Sequence, residues 1–301
     1  MKTWLFIFYV AAKFTFAPNF SVMLISYNGE VFEDYELEMH VDNRAFKYGD
    51  SVFETMKFAN GKINFWEDHY FRLMSAMRIV RMEIPMNFSP EFIEEKITEL
   101  ISAKHSEKQT CRIRLSIVRQ DGGLYTPTSN NIDYLIETSV IEDADFELNE
   151  VGLKMDVFKD HYKPKGLLSN IKSTNCLIYT VAGIFARENE LDDVVLINEN
   201  KHVVESVSSN VFLVQGNKLI TPPIESGCLR GVIRKNILKI ASKAQLEVEE
   251  KDFSPFEIQR ADEMFLTNAI TGIQWVSNFK KKTLKKVKTK ILLEELNKAT
   301  N

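Results

Sequence analysis

From Met23 onward the chain alternates short apolar runs with turn signals. MLISYNGEVFEDYELEM sets two apolar stretches on either side of Asn28-Gly29, a dipeptide whose members both tolerate positive φ and so favour a two-residue hairpin. The arrangement repeats in SVFETMKFANGKINFW around Asn60-Gly61, so the first half opens as antiparallel sheet. HYFRLMSAMRIVRMEI then carries Phe71, Met74, Met77 and Ile79 at helical intervals, and PEFIEEKITELISAKH does the same with Phe92, Ile93, Ile97, Leu100 and Ile101. Both read as amphipathic helices packed on that sheet. CRIRLSIVR alternates cleanly, with Cys111, Ile113, Leu115 and Ile117 on one face, and IDYLIET supplies a further strand. The first half is α+β.

Apolar periodicity lapses in IEDADFELNEVG, residues 141–152, which is polar, acidic and the best linker candidate. The expected division is an N-terminal extension over 1–22, a small α+β domain over 23–140, the linker, and a larger domain over 153–301. The second half begins with a strand near Leu153 to Phe158, a loop KPKGLLSNIKSTN and a helix from about Asn175 to Asn189. DVVLIN, HVVES, NVFLVQ and KLITP follow as closely spaced strands, then a helix from just after Gly231 and a strand in DEMFLTNAI. Such dense short strands with few helices suggest a closed or nearly closed sheet, of mixed α+β and α/β character, and no G-x-G-x-x-G argues for a doubly wound domain.

Composition narrows the classes. A chain of 301 residues that is 45% hydrophobic with 12 Gly and 8 Pro can bury a sizeable core, and its size favours two compact units. A net charge of −4 supplies no global field for nucleic acid or an anionic membrane, so the ligand is recognised locally. Cys111, Cys176 and Cys228 are odd in number and widely spaced, which fits small buried thiols in a reducing cytoplasm and neither a disulfide framework nor a metal site. The opening MKTWLFIFYVAAKFTFAPNF has the layout of a secretory signal, but Lys13 interrupts it and a strand-turn-strand pattern starts at Met23. It reads as an upstream extension before a working start at Met23, with a signal peptide or an amphipathic appendage as the alternatives. Seven lysines between Lys280 and Lys290 read as a solvated edge strand and helix rather than an anion patch, since no aromatics interleave them.

Three local features stand out as chemistry. Lys172 lies between a glycine-containing loop and an apolar helix, where burial and the helix dipole both depress an amine's proton affinity. Glu205 sits in VVESVSSNVF, an apolar strand pair in which an unpaired carboxylate is costly. Gly231-Val232-Ile233 opens a helix after a Pro- and Gly-containing loop, the geometry that offers free backbone N–H groups to a phosphate. Taken singly, each has an ordinary structural reading.

In order along the chain they resemble the class IV pyridoxal-phosphate enzymes, the fold type of branched-chain aminotransferases, D-amino-acid aminotransferases and 4-amino-4-deoxychorismate lyases. The resemblance runs from Met23 to about Val276 through DNRAFKYGDSVFET, HYFRL, KSTN, ESVSSNVF, GVIR and LTNAI. It implies a two-domain chain whose larger domain is a pseudo-barrel with flanking helices, a pyridoxal 5′-phosphate cofactor, a homodimer and a small amino substrate. It implies Lys172 as the Schiff-base lysine and proton-shuttling base, and Glu205 as the partner of the cofactor's ring nitrogen. Arg72, the backbone of Val232 and Ile233, and Thr267 or Asn268 are implied for the phosphate. Arg119, at the end of CRIRLSIVR, is the candidate for a substrate carboxylate, with a structural arginine as its other reading. Between the branches, Lys172 is followed by Ser-Thr-Asn and then Cys176-Leu177, Phe53 stands where aminotransferases often place tyrosine, and Ile233 replaces a usual threonine. These lean towards the lyase, which forms 4-aminobenzoate for folate biosynthesis, whereas SSNVF is shared with the D-amino-acid branch. An aminotransferase, or a cofactor-binding protein without turnover, remains open.

Overall fold

Hairpin signals near the start fold as written. In the computed structural model, which describes residues 23–105 and 109–300, β1 (Leu24–Tyr27) and β2 (Glu30–Glu33) pair antiparallel about Asn28 at φ 52° and Gly29 at φ 90°. The apolar leader before Met23 lies outside the described residues. After α1 (Arg44–Tyr48) come β3 (Ser51–Ala59), β4 (Lys62–Ile63), α2 (Trp66–Ile79), α3 (Pro90–Lys104), β5 (Cys111–Arg119) and β6 (Ile132–Val140). They form an antiparallel sheet in the order β2-β1-β6-β5-β3-β4. Helix α3 starts where the Ser89 hydroxyl accepts from Phe92 N–H at 3.2 Å and Pro90 occupies the first turn. Both long helices cover one face, where Val52, Met56, Ile113, Leu115 and Ile117 meet Leu73, Met77, Ile93, Ile97 and Leu100. Period-2 alternation turns Phe53, Thr55, Arg112, Arg114 and Ser116 to the other face, because Thr55 pairs with Arg114 and Phe53 with Ser116.

Residues 141–152 carry neither helix nor strand and are held at both sides. The Lys57 ammonium donates to Asp145 O at 3.0 Å, while Asn297 exchanges two 2.9 Å hydrogen bonds with the Phe146 backbone.

The second sheet contains β7 (Leu153–Val157), β8 (Asp193–Ile197), β9 (Val203–Ser206), β10 (Asn210–Gln215), β11 (Lys218–Thr221), β12 (Glu247–Glu250), β13 (Glu263–Asn268), β14 (Gly272–Phe279) and β15 (Lys282–Thr283). Its order is β12-β11-β10-β13-β14-β7-β8-β9, with β15 on β14. Strand β9 ends that path yet leads through Val207–Ser209 directly into β10, and Ser206 N–H donates to Ser209 O at 2.8 Å. The sheet therefore curls into a half-barrel. Met155, Val195, Val211, Leu213, Met264, Leu266 and Val276 fill its inside. Helix α4 (Leu177–Glu188) covers Phe158, Val194 and Leu196 on one flank. On another, α5 (Val232–Ile240) and α7 (Val287–Thr300) bury Ile233, Ile237, Leu292 and Leu296 against Phe212 and Phe265, with the short α6 (Pro255–Ile258) between them in sequence.

Helix α1, β12, α6 and β14 are absent from the sequence expectation, because their short, polar or aromatic-interrupted stretches carry no clean period. The lysine-rich stretch falls on the turn around β15 and the first turn of α7. There Lys286 lies over the Trp275 ring and Lys288 donates to Ala244 O. Among the described residues no helix is long and apolar enough to cross a membrane.

Candidate active site

A cavity of about 1150 Å³ opens between the free face of the first sheet and the rim of the half-barrel. Lys172 is set into it by a splice between the two halves. Phe53 N–H donates to Lys172 O at 2.8 Å and Thr174 N–H to Ser51 O at 3.0 Å, so the Lys172 segment pairs with the start of β3 like an added strand. The Thr174 hydroxyl and the Asn175 amide both donate to Gly49 O, at 3.0 and 3.1 Å. Gly49 itself ends α1 at φ 62°, and a Cβ there would meet Asn175 Oδ1 at 2.8 Å, so only glycine suits the joint. The Lys172 amine rests 4.6 Å from the Phe53 ring centroid. Burial, with the nearby Arg72 charge, pushes it down to about 8, so an appreciable fraction is a neutral nucleophile near neutral pH.

Glu205 lies on the same wall, on β9. Its Oε1 accepts from the Lys163 ammonium and from the Tyr179 hydroxyl at 2.7 Å, and its Oε2 accepts from Leu229 N–H at 2.7 Å. Burial and the Glu205 charge raise Tyr179 far above the ordinary phenol range, so it stays a donor. Neither Lys163 nor Tyr179 was signalled in the sequence. Lys163 sits in a loop with no period, pinned by its own N–H to Ile197 O at 2.9 Å, and Tyr179 looks like one more apolar residue of α4.

At the far end Arg72 projects from α2. Its Nε and Nη2 donate to the two oxygens of Glu54 at 2.7 and 2.5 Å, and Nη1 donates to Arg230 O at 3.1 Å. Two of the five guanidinium N–H groups remain open. Burial alone would raise Glu54, but Arg72 and the His69 ring, 2.7 Å away, outweigh it and bring the carboxyl to about 2. Facing Arg72, α5 begins at Gly231 with no side-chain cap, so the first-turn N–H groups of Val232 and Ile233 have no helical acceptor. A Cβ on Gly231 would collide with Asn210 Oδ1, which keeps the approach bare. The Thr267 hydroxyl is buried beside them without a partner among the described residues. Free N–H groups, a half-free guanidinium and an orphaned hydroxyl together fit a phosphate. Asn268 is otherwise engaged: its Oδ1 accepts from Ile270 and Thr271 N–H at 2.9 Å and its amide donates to Ser209.

Arg119 differs from its expectation as a carboxylate receptor. It is 5% exposed, and each guanidinium nitrogen donates to protein: Nε to Asp50 at 2.9 Å, Nη1 to Asn130 at 2.5 Å and Arg81 O at 3.2 Å, Nη2 to Val80 O at 2.6 Å. Asp50 also receives Arg44 Nε at 2.9 Å, so the cluster anchors the rim of the sheet. The available arginines are earlier on β5. The Arg114 guanidinium lies 3.8 Å from the centroid of the Phe53 ring that Lys172 also touches; its Nε donates to Ser116 at 3.2 Å and pairs with Glu137 Oε2 at 3.8 Å, and among the described residues Nη1 and Nη2 make no hydrogen bond. Arg112 also lines the cavity and makes no side-chain hydrogen bond or ion pair among the described residues. The alternation that buries Ile113 and Leu115 was the signal for both.

Among the described residues no group of three or more His, Cys, Asp or Glu side chains is placed to hold a metal, and the three cysteines are free. The family described as amino-transferase class IV matches residues 51–279. An aminodeoxychorismate lyase of Vibrio harveyi is 25% identical over 243 residues, covering 78% of this chain and 85% of that protein. A D-alanine aminotransferase of Bacillus licheniformis is 24% identical over 267 residues, covering 87% of this chain and 90% of its own length. In three dimensions the branched-chain amino acid aminotransferase of Escherichia coli superposes with a TM-score of 0.82 at 23% identity, over 93% of this chain and 96% of that one. With Lys172, Glu205 and a cluster of open donors around one cavity, and a family match across most of its length, the chain belongs to the class IV aminotransferases, enzymes that work with pyridoxal 5′-phosphate.

Proposed function

We propose that the chain is a lyase that releases pyruvate from 4-amino-4-deoxychorismate and leaves 4-aminobenzoate. The observation that carries this reading is the pair of guanidinium groups with open outer nitrogens, Arg114 and Arg112, on the cavity face of β5, Arg114 being held through its Nε alone by Ser116 and Glu137. The substrate amine sits across its ring from one carboxylate, and a second carboxylate hangs on the enolpyruvyl ether. Receptors are thus needed both near Lys172 and about a ring's width beyond it. Arg114 shares the Phe53 ring with Lys172, and Arg112 lies one strand repeat further along, about 7 Å.

The cofactor fits this cavity. Arg72, the first-turn N–H groups of α5 and the Thr267 hydroxyl suit its phosphate. Glu205 has one acceptor direction left for its ring nitrogen, and Lys172 offers the amine. When bound, the cofactor supplies an electron sink for negative charge on the substrate carbon. The protein does the rest. Lys172 Nζ takes the proton from the carbon bearing the substrate amine, and its charged form is then placed to return a proton to the departing enolpyruvyl group. Arg114 and Arg112 fix the substrate's register, and the Phe53 ring gives its apolar edge a surface. The relative named aminodeoxychorismate lyase supports the reading, as does Ile233, whose side chain is buried in the core rather than offered to the phosphate.

A second reading is amino transfer from an amino acid to a 2-oxo acid. It is supported by the relative named D-alanine aminotransferase and by Arg114, which alone serves a single carboxylate near Lys172. The reading includes a cytoplasmic homodimer, supported by the free cysteines and by exposed Tyr125, Leu168 and Leu177 at the cavity mouth. Incubating the purified enzyme with 4-amino-4-deoxychorismate, and separately with amino acids plus 2-oxoglutarate, decides between them. Pyruvate with no glutamate is the expected result, and glutamate without pyruvate overturns the lyase.

A further inference from the structure

Lys163 and Glu205 form a buried ion pair on the cavity wall, each 3% exposed, although Glu205 is already oriented by two neutral donors. The Tyr179 hydroxyl and Leu229 N–H hold one oxygen each, and the backbone of β9 fixes the stem. A carboxylate kept only to attract a positively charged ring nitrogen has no need of a third partner that is itself positive. The lysine adds a full charge at the same oxygen as Tyr179, with its ammonium 5.3 Å from the centroid of the Tyr179 ring. Two cations competing for one carboxylate each hold it less strongly than either would alone.

We propose that Lys163 is a positioning residue that shares the charge of Glu205 with the cofactor's ring nitrogen, so that the electron-withdrawing strength of the ring is set by a lysine–glutamate pair rather than by a lone carboxylate. The proposal rests on the cofactor reading above. Other titratable groups around Glu205 leave that role to Lys163. Tyr179 and Cys228 are both held neutral, the thiol pushed up to about 12 by burial and by Glu205, and Lys172 is consumed in holding the cofactor. Arg72 lies at the phosphate end, and Arg234 is committed to Pro222 O and Glu250. A moderated electron sink suits an elimination, in which negative charge on carbon is discharged at once by a leaving group, better than a reaction in which it must persist.

The test uses cofactor-loaded wild type, K163M, K163R, E205Q and the double variant K163M/E205Q, read by the pH midpoint of the cofactor's visible absorption. Removing the lysine charge stabilises the protonated cofactor, so K163M raises the midpoint by about one unit. E205Q lowers it, the double variant lies nearer wild type than either single change, and K163R keeps the wild-type value. In the cofactor-free proteins K163M and E205Q each lower the melting temperature, and the double variant regains part of the loss because no unpaired charge is left buried. Should K163M fail to fold, K163Q carries the same expectation. A coloured wild type whose midpoint is unmoved or lowered by K163M, or a double variant with no recovery, overturns the proposal alone. A wild type that takes up no cofactor overturns the cofactor reading and this proposal with it.

Discussion

Strand β5 carries two arginines five positions apart that border the same cavity and do opposite things. Every nitrogen of Arg119 is spent on Asp50, Asn130 and the carbonyls of Val80 and Arg81, which ties the end of α2 and the loop after β5 to the sheet. Arg114 spends one nitrogen on Ser116 and the half-exposed Glu137 and lies over Phe53, leaving its outer N–H groups open among the described residues. The distinction is one of donor accounting, since a buried guanidinium must be satisfied and the partner that satisfies it decides its role. If Arg114 receives the substrate as proposed, fold stability and ligand recognition are separable along a single strand.

The largest effect that could break this contrast is on stability. Arg119→Met leaves Asp50 with half its partners and orphans two carbonyls, and should destabilise the protein by about 3 kcal/mol in urea unfolding while sparing the chemistry of the protein that remains folded. Arg114→Gln should do the reverse: an unchanged unfolding midpoint and a kcat/KM about 30-fold lower. Arg112→Gln should lower kcat/KM about tenfold for a dicarboxylate and leave a monocarboxylate nearly unaffected, so the ratio of the two substrates reads out its position.

The smallest effect sharpens the contrast through charge. In the cofactor-free protein Lys172 should react with an amine reagent with a midpoint near pH 8. Because the folded state binds this proton less tightly than the unfolded chain, the group makes stability rise between about 8 and the ordinary lysine value of 10.5. Arg72→Gln should move the reaction midpoint upward, whereas Arg119→Met, whose charge Asp50 already neutralises, should leave it in place.

Most of the strands, the two long helices of the first half and the division into two sheets were legible because each buries a face with a clear period. Lys172 and Glu205 were singled out chiefly for another reason: their order and spacing match a family pattern, whereas the local signal at each has an ordinary structural reading. Arg119 was singled out with a structural arginine as its other reading, and Arg114 was not considered, because position on a strand says which face a residue takes but not which acceptors wait there. Three of its partners come from residues 80, 81 and 130, distant in sequence and fixed only by the fold. Lys163 was invisible for the same cause. Its partner is 42 residues away, and a lysine among Lys159, Lys163 and Lys165 looks like an ordinary loop residue.

The pairing of the Lys172 segment with the first residues of β3 has a consequence in time. By chain order Lys172 belongs to the second half, but the bonds that place it come from Ser51 and Phe53 in the first. Until both halves have formed and closed on one another, Lys172 is an ordinary solvated amine, almost wholly protonated at neutral pH and correspondingly slow toward aldehydes. Its lowered basicity appears only with the closed joint. A lowered midpoint at Lys172 is therefore a mark of a chain whose two halves have both formed and closed, readable before any ligand is added.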